Sequence, residues 1–182
     1  QTLGQSTSAK IRILLLEDDS EDAYLFQKSL EKHPEFPFEL THFQTLPEAI
    51  EGLMKQPFDV VMADLGLSET KGLETFECLQ PHIQDLPVIV FTGNENPDLA
   101  FKIIGMGAQD YIIKENVLDT DFTRVIRYSI ERKQIETNLI HATSYDLLTS
   151  LPNRTLFLDR LRQKVLYHHR YKERFAVIQL RI

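Results

Sequence analysis

Cysteine is almost missing from these 182 residues: Cys78 stands alone, which excludes an intramolecular disulfide and any multi-cysteine metal site. It reads as a bystander on a helix, and a chain without disulfides suits a reducing cytoplasm. There is no tryptophan, glycine is sparse at seven residues, and no two glycines are adjacent. No run approaches the roughly 20 consecutive apolar residues of a membrane helix. Residues 1–10 are polar and lack the apolar stretch of a secretory leader. No membrane partner is therefore expected. The chain starts at Gln1 rather than Met, which reads as a processed end or the edge of a longer sequence. What is present is ordinary for a globular protein: 42% apolar and 26% charged residues, which rules out a disordered or purely coiled-coil chain.

The charge is unevenly spread. Residues 1–118 hold 8 Lys/Arg against 20 Asp/Glu, and residues 119–182 hold 12 against 7. An acidic body with a basic appendage suggests two units of different purpose. The acidic body is a poor surface for phosphate backbones, so no nucleic-acid partner is expected. The basic residues of the appendage are diluted along a helical pattern, as on a solvated face.

Hydrophobic patterning gives strand and helix in alternation. Ile11–Leu16 is a short, nearly all-apolar run, as in a strand buried on both faces. Ser20–Lys32 reads as a helix with Ala23, Phe26 and Leu30 on one face, stopped by His33-Pro34. Phe38–Phe43 alternates as a strand, and Pro47 suits the first turn of a helix to Lys55. Strands follow at Phe58–Ala63, Leu86–Phe91 and Asp110–Ile113, with helices at Gly72–His82 and Pro97–Met106. A last helix is expected from Leu118 to about Ala142. This alternation predicts an α/β fold, a five-stranded parallel doubly wound sheet with an extended C-terminal helix.

In such a sheet ligands bind beyond the carboxyl ends of the strands. Glu17-Asp18-Asp19 follows the first strand, Asp64 the third, Thr92 the fourth and Lys114 the fifth. Singly, each has a bland reading: an acidic first turn, a loop cap, a strand-end hydroxyl, a solvated charge. Together they converge on one rim, where grouped carboxylates repel unless a cation sits among them. A hard divalent ion such as Mg²⁺ takes oxygen ligands and keeps several waters. A carboxylate beside that ion, with an ammonium opposite, suits receipt of a phosphoryl group.

The segments ILLLEDDSEDAYL, DVVMADLGLSETKG, VIVFTG and GAQDYIIKEN give residues 9–118 a close resemblance to the receiver domain of two-component response regulators, a flavodoxin-like fold. The resemblance implies that Asp64 is the phosphoacceptor. It implies Mg²⁺ held by Asp18 directly, by Glu17 through water, by Asp64 and by the carbonyl of Gly66. It makes Thr92 the switch hydroxyl, Lys114 the phosphate-contacting amine and Tyr111 the aromatic switch. A sheet-edge core position is the other reading of Tyr111. The implied partner is a sensor histidine kinase or phosphotransfer protein. Two departures stand out: Ser68 and Glu115 occupy places where the family often has proline. Neither is expected to touch the chemistry. A nucleotide or flavin binder is disfavoured by the acidic first loop, and a phosphatase with a nucleophilic Asp by Gly66 where a second Asp belongs. A pseudo-receiver that acts only by binding proteins stays open.

The long helix, residues 118–143, then serves as a signalling linker. Its heptad places Tyr128, Ile135 and Ala142 on one seam position and Val125, Arg132 and Leu139 on the other. A parallel homodimer and a simple spacer are both open. Residues 145–154, YDLLTSLPNR, closely resemble the entry motif of GGDEF diguanylate-cyclase domains. That resemblance makes residues 144–182 the truncated α/β start of such a domain, with a helix at Leu156–Tyr167 and a strand at Phe175–Ile182. The GTP-binding Gly-Gly hairpin is not in these residues, so this stretch is not expected to make cyclic di-GMP. Some 35 residues of a larger domain are expected to pack on a neighbour or stay mobile. Arg181 falls where the family commonly carries a metal-binding Asp, which implies a degenerate cyclase domain. A regulated phosphodiesterase with a downstream EAL domain is the alternative output.

Overall fold

The computed structural model describes residues 9–68, 70, 72–83, 85–93, 97–114, 120–146, 149, 151–171 and 176–178. The chain divides into two compact units, residues 1–134 and 135–182. In the first, strands β1 (Ile11–Leu16), β2 (Phe38–Phe43), β3 (Val60–Asp64), β4 (Val88–Thr92) and β5 (Asp110–Ile113) form one sheet. Its order is β2-β1-β3-β4-β5, and each neighbouring pair is parallel. Helices α1 (Ser20–Glu31), α2 (Leu46–Lys55), α3 (Leu73–Leu79), α4 (Pro97–Gly105) and the start of α5 (Phe122–Ser144) flank it.

Strand period two divides the core. Ile13, Leu15, Val60, Met62, Ile89 and Phe91 face α1 and α5, where Phe26, Leu30, Phe122 and Ile126 close the layer. Leu14, Leu16, Val61, Ala63, Val88 and Val90 face the other way, toward Leu46, Ala49, Phe76, Leu79 and Ile103. The apolar runs of β1, β3 and β4 are thus covered on both sides, as a parallel sheet requires.

Local chemistry sets the helix ends. Asp19 caps α1 by accepting from the amides of Glu21 and Asp22, and Thr45 caps α2 through that of Glu48. The expected helix at Gly72–His82 is shorter. Gly72 sits at φ +64°, α3 ends at Leu79, and Gln80–His82 tightens into a 3₁₀ turn. Pro81 has no N–H to continue the α pattern. The last helix starts at Phe122 rather than Leu118: Thr120 and Asp121 are not helical, and Asp121 Oδ1 accepts from the Arg124 amide and the Thr123 hydroxyl. Leu118 lies outside the described residues.

Along α5, Phe122 and Ile126 are buried, and Val125 packs beside them on the core. Val125 therefore serves the docking face rather than a free seam. Tyr128, Ile135 and Leu139 are exposed, and Arg132 donates to the carbonyl of Gln109. The side chain of Ala142 lies outside the described residues. No described helix is long and apolar enough to cross a membrane.

In the second unit, Tyr145 and Pro152 form an antiparallel bridge. Asp146 Oδ1 accepts from the amide and hydroxyl of Thr149. Asn153 then accepts from the Leu156 amide at the start of α6 (Arg154–Tyr171). This helix is longer at both ends than the Leu156–Tyr167 expected. Arg181 and most of the strand expected at Phe175–Ile182 lie outside the described residues; its residues 176–178 have no regular structure.

Candidate functional site

The sheet register brings the site together. Leu16 pairs with Ala63, so Glu17 is level with Asp64. Asp64 pairs with Phe91, one residue before Thr92, and Thr92 pairs with Ile113, one before Lys114. Glu17, Asp64 and Thr92 are buried, each at most 4% exposed, although all three are polar. A fold places charges there only when they are partnered.

The partner is Lys114. Its Nζ lies 2.9 Å from Glu17 Oε2, 2.9 Å from Asp64 Oδ2 and 2.8 Å from Asp22 Oδ2. Burial opposes the charge on Lys114, but its hydrogen bonds to Asp22, Glu17 and Asp64 outweigh that and hold its affinity for the proton above the ordinary lysine value. Burial pushes the Glu17 carboxyl up to about 7, against the opposing bond from Lys114, and the charge of Asp64 adds to the rise.

The loops fix the remaining groups. Asp64 Oδ1 accepts from the Gly66 amide at 2.8 Å. A methyl group on Gly66 would lie 3.4 Å from both Asp64 carboxylate oxygens, so glycine keeps the approach to that carboxylate open. Leu65 and Leu67 are buried on either side of it and anchor the loop. His42 Nε2 donates to the Glu17 carbonyl at 2.7 Å and steadies the loop after β1.

Asp18 Oδ2 accepts from both the amide and the hydroxyl of Ser68, at 2.9 and 2.6 Å. These bonds, the hydroxyl's first, hold the Asp18 carboxyl below the usual aspartate value. Position 68, expected to stand apart from the chemistry, thus contacts a carboxylate of the candidate site. Its side chain holds a site carboxylate. Glu115, the other departure, lies outside the described residues.

Glu17, Asp18 and Asp64 each present an oxygen within 4.8 Å of the others. All three are hard donors, and such a set fits one Mg²⁺-like cation. Asp19 does not join them, because its carboxylate caps α1. Tyr111 pairs with Val90 and packs, half-buried, against the core on the α2–α4 side. Sequence reasoning misses Asp22, Ser68 and His42. Only Ser68 carries a signal, its departure from proline.

The family profile of the response regulator receiver domain matches residues 13–126. The chain belongs to that family. As a receiver domain of a two-component response regulator, it is similar to a probable cyclic di-GMP phosphodiesterase of Vibrio cholerae, 26% identical over 157 residues. That match covers 85% of this chain and 34% of the relative. It is also similar to the transcriptional regulatory protein QseB of Haemophilus influenzae, 33% identical over 104 residues, covering 57% of this chain and 46% of QseB. The chain thus spans less than half the length of either relative. Among solved structures, the receiver domain of a putative LuxO repressor protein from Vibrio parahaemolyticus superimposes with a TM-score of 0.61 at 23% identity. It covers 72% of this chain and 98% of that one, and shows that the two share the receiver fold.

Proposed function

We propose that this receiver takes a phosphoryl group on Asp64 from a phosphohistidine of a sensor histidine kinase or phosphotransfer protein. One observation carries the reading: the buried Asp64 carboxylate is bound to the Lys114 ammonium and grouped with Glu17 and Asp18. An oxygen of Asp64 bonds to phosphorus while the phosphorus–nitrogen bond of the donor breaks. The electron pair stays on the imidazole, and an acyl phosphate forms. Mg²⁺, when held by Glu17, Asp18, Asp64 and the Gly66 carbonyl, supplies positive charge to the phosphoryl oxygens. Lys114 adds a second cation to those oxygens. Gly66 leaves room for the group. The Thr92 hydroxyl then bonds it, and the move of Thr92 with Tyr111 alters the surface.

Residues 9–118 act as the receiver core, 118–143 as the signalling linker and 144–182 as the start of a GGDEF domain, so the output concerns cyclic di-GMP. The YDLLTSLPNR motif supports this, as does the relative named a cyclic di-GMP phosphodiesterase, whose match covers 85% of the chain. That relative's name favours a hydrolase as the whole protein's activity, and Arg181, where the GGDEF family commonly carries a metal-binding Asp, supports a degenerate cyclase domain in it. The exposed Tyr128, Ile135 and Leu139 support a parallel homodimer through the linker helix.

Intact-mass analysis after incubation with acetyl phosphate tests the acceptor. A gain of one phosphoryl group is expected that requires Mg²⁺ and is lost in Asp64→Asn. Absence of any adduct on the wild type, with no binding of fluoroberyllate, overturns it in favour of the pseudo-receiver.

A further inference from the structure

Two hydrogen bonds from one residue converge on one oxygen of the acidic cluster. The amide and the hydroxyl of Ser68 both donate to Asp18 Oδ2, at 2.9 and 2.6 Å, across 50 residues of sequence. Ser68 lies in the loop after β3 and Asp18 in the loop after β1. A carboxylate oxygen has two lone pairs, so this pair of donors fills Oδ2. The hydroxyl bond is in the short range of charge-assisted contacts.

Neither loop end is loose. Leu65 and Leu67 are buried beside the sheet, and the Gly72 amide donates to the Leu65 carbonyl at 2.8 Å. Asp19, next to Asp18, is tied to α1 as its cap. Ser68 is thus a fixed donor, and Asp18 is a partly exposed side chain that it holds in one orientation. Among the described residues no other residue donates to Oδ1, which leaves that oxygen for a cation. Groups that orient a metal-binding carboxylate in this way raise affinity by sparing the ion the cost of ordering its ligand.

We propose that Ser68 is a positioning residue for the divalent cation: it sets the Asp18 carboxylate in its binding orientation before the ion arrives. This rests on the reading that Glu17, Asp18 and Asp64 form the cation site. Proline at position 68 offers neither donor and alanine only the amide, so the side chain here adds a bond to Asp18 that the family's frequent residue cannot.

The test is a titration of the full 182-residue chain with Mn²⁺, followed by electron paramagnetic resonance of the free ion and competed with Mg²⁺. Wild type, Ser68→Ala, Ser68→Thr and Asp64→Asn are compared, with thermal melts to establish that each is folded. Ser68→Ala is expected to raise the Mn²⁺ dissociation constant about tenfold, the lower end of the effect of losing an orienting partner. Ser68→Thr keeps the hydroxyl and is expected to restore affinity to within about twofold of wild type. An unchanged or tighter constant in Ser68→Ala, or a threonine variant as weak as alanine, overturns the proposal and leaves the site reading intact. A wild type with no saturable Mn²⁺ binding overturns both together.

Discussion

The ammonium of Lys114 lies 2.8 Å from Asp22, a carboxylate in the first turn of α1, and 2.9 Å from Asp64. Asp22 thus shares the cation that a phosphoryl group on Asp64 needs, and it adds negative charge where an anionic donor must approach. Both effects would slow the proposed phosphorylation. Asp22 is 44% exposed at its side chain, so the contact is worth about 0.5–1 kcal/mol. Asp22→Asn should therefore raise the rate of labelling by acetyl phosphate about two- to fivefold. Pseudo-first-order rates from intact mass at saturating Mg²⁺ measure it; a slower variant would show that Asp22 helps place Lys114 instead.

A second ion pair makes stability depend on acidity. The carboxylate of Asp59, just before β3, accepts from the Arg12 amide at 2.8 Å, from its Nε at 3.1 Å and from its Nη2 at 2.7 Å. These bonds, the guanidinium's first, hold the Asp59 carboxyl below its ordinary value of 3.8. The folded state favours the carboxylate, so the contribution is complete above the ordinary value and fades as pH falls through the lower, folded one. Asp59→Asn should melt below wild type at neutral pH, and the gap should close in strong acid. Both side chains are about a third exposed, so the gap should also narrow in molar salt.

Three rings tie α1 and α5 to the sheet. Phe122 meets Phe26 at 4.9 Å and Phe91 at 5.7 Å between centroids, with ring edges on faces. Phe122 is 1% exposed. Phe122→Ala should cost about 3–5 kcal/mol, as for other buried aromatics. Urea unfolding read by far-ultraviolet circular dichroism gives the value.

Gly52 shows two effects in opposition. It lies inside α2, where alanine would gain about 1 kcal/mol of helix propensity. It is also buried, and a Cβ there would overlap the ring of Phe43. Overpacking of this kind costs about 1–3 kcal/mol. The ring is half-buried and packed against the core, so packing should win and Gly52→Ala should be destabilised by about 1 kcal/mol. A urea midpoint above that of wild type would mean that the ring moves aside freely.

The sheet and the strand-end residues are readable in the chain because burial on both faces forces β1, β3 and β4 to be apolar. A carboxylate or hydroxyl ending such a run is conspicuous, as Asp64 and Thr92 are. The partners of those groups are another matter. Asp22 meets Lys114 across 92 residues, and Ser68 meets Asp18 across 50. Before folding, each is one polar residue among many near a helix start. The onset of α5 at Phe122 is intermediate: Asp121 is a good cap, but Leu118 is apolar and pulls the apparent start upstream. The break of α3 after Leu79 follows from Pro81, a residue the helical pattern alone does not weigh.

Among the described residues, the Lys114 ammonium pairs with three carboxylates, those of Glu17, Asp22 and Asp64, and the Asp18 carboxylate lies beside two of them. An excess of acidic groups of this kind would repel phosphate esters and other free anions from Asp64. In the proposed reaction, a donor that brings its own docking surface, or that meets the pocket while a cation occupies it, would pass that barrier. On the proposed reading, the same charges that make the pocket costly to build would also guard it against phosphorylation by chance.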